Sequence, residues 1–328
     1  MIEKKVLNKR SIKKLIRDNY GIEIDEVKTV SGGSAEIYLL ENDTKYILKL
    51  YQSKYKLEDV LKEITVINYL KEKNYLVPKY YETLNHEYCV VYKDRVMILQ
   101  EYIAGITKEK FEASISEIKE CGYLHGLLVK NLMDYETSTI QEIDEYFDFE
   151  NSIKKLNKVI NMGDNKIVIS DMKKKIEILE KIKLDLSNID KISYYVSHGD
   201  FSYLQFIYDE GKCKAIIDFI RVKKLPIVWE IMRSYSYMDK KCEDSEIDID
   251  NLILYVKEFM REVPLNKYDL EYMPYIYLCQ LLASTYGYKE VYTNDNLEVL
   301  KFAQFRTKLC LYLYEHVDEI SKRLGELL

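Results

Sequence analysis

Short runs rich in β-branched and aromatic residues open the chain after a first amphipathic stretch. SIKKLIRDNY (11–20) puts Ile12, Leu15 and Ile16 on one face and is followed by Gly21, the pattern of a short helix and its stop. EVKTV (26–30), EIYLLE (36–41) and KYILKLY (45–51) then read as strands. Ser31-Gly32-Gly33-Ser34 separates the first two, and Asn42-Asp43-Thr44 joins the second pair as a hairpin. The three form an antiparallel meander, not a βαβ unit. Apolar residues at three- and four-residue steps, Val60, Leu61, Ile64, Ile67 and Leu70, predict a helix over 57–73. Two more strands are expected at 87–93 and 95–103, around Lys93-Asp94.

The period then changes. Residues 109–130 and 140–185 are mostly helical in pattern, the second stretch with a Lys- and Glu-rich face expected to be solvated. A short β segment at 192–197 precedes SHGDFSYLQF, and a β pair is expected at 204–208 and 214–219. From Trp229 onward the pattern is helical, with interruptions expected at Pro264 and Pro274. The change near Ala104-Gly105 divides the chain into a β-rich region, 1–104, and a mainly helical region, 105–328.

Composition narrows the function classes. The 328 residues are 47% apolar and 32% charged, which suits a globular chain of two units. The formal net charge of -6 argues against a nucleic-acid partner, which calls for a basic face, and leans toward a cationic small substrate. The six cysteines are scattered without a CxxC pair, so they read as reduced apolar residues and not as zinc ligands. Met1 to Lys14 lacks an apolar signal core, and no run approaches the roughly 18–20 apolar residues of a membrane span. A cytoplasmic protein without a membrane partner is expected. The sequence does not address oligomeric state.

Five features occur in order: Ser31-Gly32-Gly33-Ser34, Lys49, Glu63, His198-Gly199-Asp200 with Gln205, and Asp218. SGGS between strands serves as an ordinary tight turn, or as a loop whose bare backbone N–H groups meet phosphate oxygens. Lys49 shares a face with Ile47, while Leu48 and Leu50 share the other. That placement suits a partly buried cation with a partner; an edge lysine in solvent is the plain alternative. Glu63, at the rim of the next helix's buried face, is the natural partner, with Glu58 as competitor. Asp200 is followed five positions later by the Gln205 amide, and then by Asp218 after the apolar run Ala215-Ile216-Ile217. Phosphoryl transfer needs this set: one carboxylate to orient an acceptor hydroxyl, and a second with an amide oxygen to hold Mg²⁺, a hard ion that prefers oxygen. Taken apart, Asp200 is a turn residue and Asp218 a strand-end residue.

With these residues the chain resembles the aminoglycoside phosphotransferase and choline kinase family, from about residue 25 to about residue 315. The resemblance is specific at His198-Gly199-Asp200 and at Ile216-Ile217-Asp218-Phe219. It implies an α+β, two-lobed, protein-kinase-like fold with a small antiparallel β lobe and a larger helical lobe. It implies Asp200 as catalytic base, Gln205 and Asp218 on magnesium, and Lys49 on the α- and β-phosphates, oriented by Glu63. It implies that the SGGS loop covers the phosphates and that the backbone of Glu101, Tyr102 and Ile103 meets adenine. The expected activity is ATP-dependent phosphorylation of a small-molecule hydroxyl, with GTP as a possible donor; the acceptor is an aminoglycoside-like antibiotic or a metabolic alcohol such as choline or homoserine.

The chain departs from the family pattern in three places. Gln205 stands where Asn is usual, Ser202-Tyr203 replaces a His-Pro-containing loop, and Ile220 follows Asp218-Phe219 where Gly is common. These departures motivate a second reading, a catalytically degenerate binding or spore-coat-type structural protein. Intact Lys49, Asp200 and Asp218 favour the enzyme. A protein kinase fits less well, because the triplet is HGD and no activation segment follows Asp218. Pro226 to Arg233 resembles the segment that buttresses the catalytic loop, with Glu230 where Asp is common. His125, on a helical pattern, reads as structural, and Trp229 as a packing residue. Acids at 243–250 and tyrosines at 272–292 could meet a substrate, though a solvated loop and helix packing account for most of them.

Overall fold

The computed structural model describes residues 7–30, 35–294 and 297–328. In chain order the main elements are α1 (Lys9–Tyr20), β1 (Glu26–Val30), β2 (Ala35–Glu41), β3 (Lys45–Tyr51), α2 (Leu57–Glu72), β4 (Cys89–Tyr92), β5 (Arg95–Glu101) and β6 (Ile106–Thr107). They continue with α3 (Ile115–Asn131), α4 (Asp144–Phe147), α5 (Phe149–Ile160), α6 (Lys166–Lys181), β7 (Tyr194–Ser197), β8 (Phe206–Asp209), β9 (Lys212–Ile216) and β10 (Lys223–Pro226). The helices α7 (Ile227–Tyr235), α8 (Ile249–Met260), α9 (Lys267–Ala283), α10 (Tyr288–Asn294) and α11 (Leu297–Gly325) complete the chain. Two compact units result: the described part of Met1–Lys108 together with Gln205–Val222, and Glu109–Leu204 together with Lys223–Leu328.

The first unit is built on an antiparallel sheet of order β1-β2-β3-β5-β4. Asn8 caps α1 by accepting the Ser11 N–H at 2.8 Å, which starts the helix two residues before the apolar pattern predicts. Gly21, at φ 68°, stops it. Ile12, Ile16 and Tyr20 of α1 pack with Leu40, Leu48, Leu50, Met97 and Leu99 of the sheet. Because side chains alternate across a strand, committing Leu48 and Leu50 to this core turns Lys49 to the opposite face. There α2 buries Val60, Glu63, Ile64, Val66, Ile67 and Leu70, whereas Leu61, expected inside, is 44% exposed. A smaller sheet, β6-β8-β9, completes the unit. The strand β6 was not expected from sequence. Its approach to β8 depends on Gly105, where a Cβ would fall 2.4 Å from the Tyr208 carbonyl oxygen.

The second unit is mainly helical. Ser114 and Glu117 form a capping box at the start of α3, which begins well after the expected residue 109. Gly122 and Gly126 let α3 lie directly on α8; a Cβ at either would come within 2.4–2.5 Å of the Tyr255 or Phe259 carbonyl oxygen. The stretch 140–185 breaks into α4, α5 and α6. Its polar face is not wholly solvated, because Lys175 is buried and donates to the Leu281 and Ser284 carbonyls at 2.9 Å each. Pro274, expected to interrupt a helix, lies buried inside the 17-residue α9. An interior proline costs a helix about 3 kcal/mol, and the packing of α9 on α7 and α11 offsets it. The residues after the Asp218 turn form β10, which pairs antiparallel with β7. No described helix is long and apolar enough to cross a membrane. All six cysteines are buried and none is in a disulfide.

Candidate active site

In the first unit, Lys49 lies between Ile37 on β2 and Ile98 on β5 in the sheet register. Its Nζ sits 3.2 Å from Glu63 Oε1 and 3.6 Å from Asp218 Oδ1. Both Lys49 and Glu63 are buried, and the competitor Glu58 is exposed. Two further donors reach the Glu63 carboxylate, the Tyr51 hydroxyl at 2.8 Å and the Tyr80 hydroxyl at 2.7 Å. Sequence reasoning missed both tyrosines. Burial alone would lower the Lys49 pKa; Glu63 and Asp218 outweigh it and raise it, so the amine is a fixed positive charge. Burial first, and the Glu63 charge second, push the Tyr51 and Tyr80 hydroxyls well above their usual pKa, so both stay neutral donors.

Asp218 follows the end of β9 and adopts a left-handed conformation, φ 69° and ψ 53°, at the head of a 3₁₀ turn, Phe219–Arg221. Aspartate tolerates this conformation better than most side chains. The turn packs against α2, and Phe219 is fully buried. Beside it, the Ile217 N–H donates to the Gln205 carbonyl at 3.0 Å, so the backbones of both magnesium candidates are tied together. A carboxylate and an amide oxygen are the hard donors that Mg²⁺ takes. No group of three or more His, Cys, Asp or Glu able to hold a metal occurs among the described residues. In the expected hinge, the Glu101 N–H is already committed to the Lys79 carbonyl at 2.9 Å, and the Glu101 carboxylate accepts the Lys79 N–H at 2.7 Å. Tyr102 and Ile103 follow, both half-buried. The expected phosphate loop, Ser31, Gly32, Gly33 and Ser34, lies outside the described residues.

In the second unit, β7 ends at Ser197 and the chain turns through buried His198 and Gly199, φ 77°, to Asp200. The loop is held from behind. Glu230, on α7, accepts the Phe201 N–H at 3.1 Å through Oε1 and contacts His125 Nε2 at 3.1 Å through Oε2. The His125 ring stacks on Phe201 with centroids 4.1 Å apart, and its Nδ1 lies 2.9 Å from the Tyr255 hydroxyl. Burial lowers the His125 pKa more than Glu230 raises it, so a neutral ring donates from Nε2 and accepts at Nδ1. Burial alone would raise the Glu230 pKa; hydrogen bonds, the one from His125 foremost, reverse this, and Glu230 stays ionised. His125 is structural, as its helical position implies, and acts on the loop through Glu230 and Phe201.

Asp200 forms an ion pair with Arg233, one helical turn beyond Trp229 on α7. In the sequence Arg233 stands only at the end of the segment from Pro226, and nothing in its spacing announces this partner. The acids at 243–250 are largely matched: Glu243 pairs with Lys240, Asp248 with Lys241, and Asp250 with Arg323. Most of the tyrosines hold the helices together: Tyr272 donates to the Asp185 carbonyl, Tyr275 to Asp318, and Tyr288 to Asp171.

No protein-family model matches the sequence, and no curated protein resembles it. Solved structures do. A microcompartment-associated aminopropanol kinase superposes with a TM-score of 0.65 at 13% identity, covering 96% of this chain and 99% of that one. An amicoumacin kinase in complex with AMP-PNP and Ca²⁺ gives 0.62 at 14%, covering 95% and 94%. A choline kinase from Streptococcus pneumoniae gives 0.60 at 15%, covering 92% and 98%. Over nearly its whole length, this chain has the α+β, kinase-like fold of these small-molecule kinases.

Proposed function

We propose that the protein is a nucleotide- and magnesium-dependent phosphotransferase that acts on a hydroxyl group of a small molecule. The observation that carries this reading is Lys49, a buried ammonium held 3.2 Å from Glu63 and 3.6 Å from Asp218. Burying a lysine with its carboxylates costs desolvation, and buried, strongly perturbed charges of this kind gather at functional sites. In this reading Lys49 binds the α- and β-phosphates and Glu63 fixes its position. Asp218 and the Gln205 amide hold Mg²⁺, which when bound supplies charge neutralisation on the phosphates. Asp200 orients the acceptor hydroxyl and accepts its proton. Tyr102 and Ile103 offer backbone to the adenine edge. The fold shared with aminopropanol, amicoumacin and choline kinases supports the same class.

Calorimetric titration of ATP and GTP, each with and without Mg²⁺, tests the reading. Magnesium-dependent binding to wild type, weakened roughly tenfold or more in Asp218→Ala, is expected. Failure of both nucleotides to bind folded wild type would move the protein to the class of non-catalytic, coat-type scaffolds.

A further inference from the structure

Around Arg233, the partner of Asp200, cations gather on neighbouring rings of the second unit, although the chain as a whole is acidic. The Arg233 guanidinium carbon lies 5.4 Å from the centre of the Tyr237 ring and 5.9 Å from that of Trp229. Lys110 Nζ lies 5.6 Å from the same Tyr237 ring and 4.3 Å from Phe302, and the Arg306 guanidinium lies 5.8 Å from Phe302. Two cations thus flank one tyrosine and two flank one phenylalanine. Against them stands the Asp200 carboxylate, which pairs with Arg233. Burial and the nearby Arg233 charge lower the Lys110 pKa, and Glu109 offsets this only in part.

Arg233 gives its NH2 to Asp200, yet its NH1 is buried with no hydrogen-bond partner among the described residues. An unsatisfied buried donor is destabilising, more so when charged, and such defects gather at functional sites. The Arg233 side chain as a whole keeps 21% of its surface open, while NH1 itself lies buried.

We infer that the acceptor alcohol carries an anionic group, a phosphate or carboxylate, that is seated by Arg233 NH1 and Lys110 over the Tyr237 and Phe302 rings. The word acceptor rests on the phosphotransferase reading; the anion seat rests on the side chains. One guanidinium would then hold the anion at NH1 and the base at NH2, which places a hydroxyl of the same small molecule at Asp200. Choline, with its permanent positive charge, would be repelled here.

The test uses the full chain without nucleotide. Glycerol 3-phosphate, D-glycerate, inorganic phosphate and choline are titrated by calorimetry, with emission of Trp229, the one tryptophan, followed in parallel. Saturable binding of at least one anion with a change in Trp229 emission is expected, with no binding of choline. Lys110→Met should weaken the anion roughly tenfold or more, and Lys110→Glu should abolish its binding, both with unchanged circular dichroism. Binding of choline but of no anion would overturn the inference, as would anion affinity that is unchanged in both folded variants. Nucleotide binding without anion binding sinks this inference alone. Anion binding without nucleotide binding sinks the phosphotransferase reading and leaves the seat in place.

Discussion

Three donors converge on one buried carboxylate at Glu63, and removing it would strand the Tyr51 and Tyr80 hydroxyls and leave Lys49 with Asp218 alone. Glu63→Ala is therefore expected to cost about 3–5 kcal/mol of stability, read as a lower denaturation midpoint. Glu63→Gln, of the same shape, should cost less but should still misplace Lys49 and weaken nucleotide binding. At the other carboxylate, Asp200→Asn should cut turnover by roughly 10²–10⁴-fold while leaving nucleotide affinity near wild type. Normal turnover in that variant would remove Asp200 from its role. The sequence made the Lys49 environment legible, because strand alternation separates Lys49 from Leu48 and Leu50 without reference to any distant residue. It could not reveal Tyr51 and Tyr80 as partners of Glu63, since those contacts depend on how α2 and the loop before β4 settle on the sheet. Arg233 was equally hidden. A lone arginine on an apolar helix has no signature until the fold sets it beside Asp200.

Whole elements followed their periodicity where the pattern was long. The strands at 26–30 and 45–51 and the helix from 57 agree with expectation to within a residue. The short pieces did not announce themselves. The strands β6 and β10 have two and four residues, and each exists only because a remote strand offers hydrogen bonds to it. Pro274 misled for a related reason: local propensity forbids what the packing of α9 permits. The contact of α3 with α8 gives the element-scale prediction. Gly122→Ala would push a methyl into the Tyr255 carbonyl and cost about 1–3 kcal/mol. Because Tyr255 also meets His125, activity should fall further than stability alone accounts for. A folded Gly122→Ala protein with full activity and an unchanged denaturation midpoint would refute the close approach.

Across the molecule, pH should act through Lys175. Burial, the largest effect, lowers its pKa from 10.5 in the free side chain to about 8 in the folded chain. Between those values the unfolded state holds more protons, so this group makes stability rise with pH over that window. Below about pH 8 both states are charged and the cost of burying the ammonium, about 3 kcal/mol, is fully present. Denaturation of wild type and Lys175→Met across pH 8 to 10.5 should show a steeper rise for wild type. Equal slopes would place the lysine in solvent, where the Lys- and Glu-rich pattern of its neighbourhood had put it. That expectation failed because periodicity registers charge and cannot register which charge caps another helix.

The first unit is discontinuous in sequence, since Gln205–Val222 belongs with the residues before Glu109. During synthesis, the sheet from β1 to β5 leaves the ribosome long before β8, β9 and Asp218 exist. Lys49 would meet Glu63 early and Asp218 only after nearly a hundred intervening residues of another unit have been made. A nascent chain stalled before residue 205 would thus carry the lysine and its brace but not the second carboxylate. In the proposed reading, nucleotide capture through a magnesium ion at Asp218 would then wait until the whole of Glu109–Leu204 has been made.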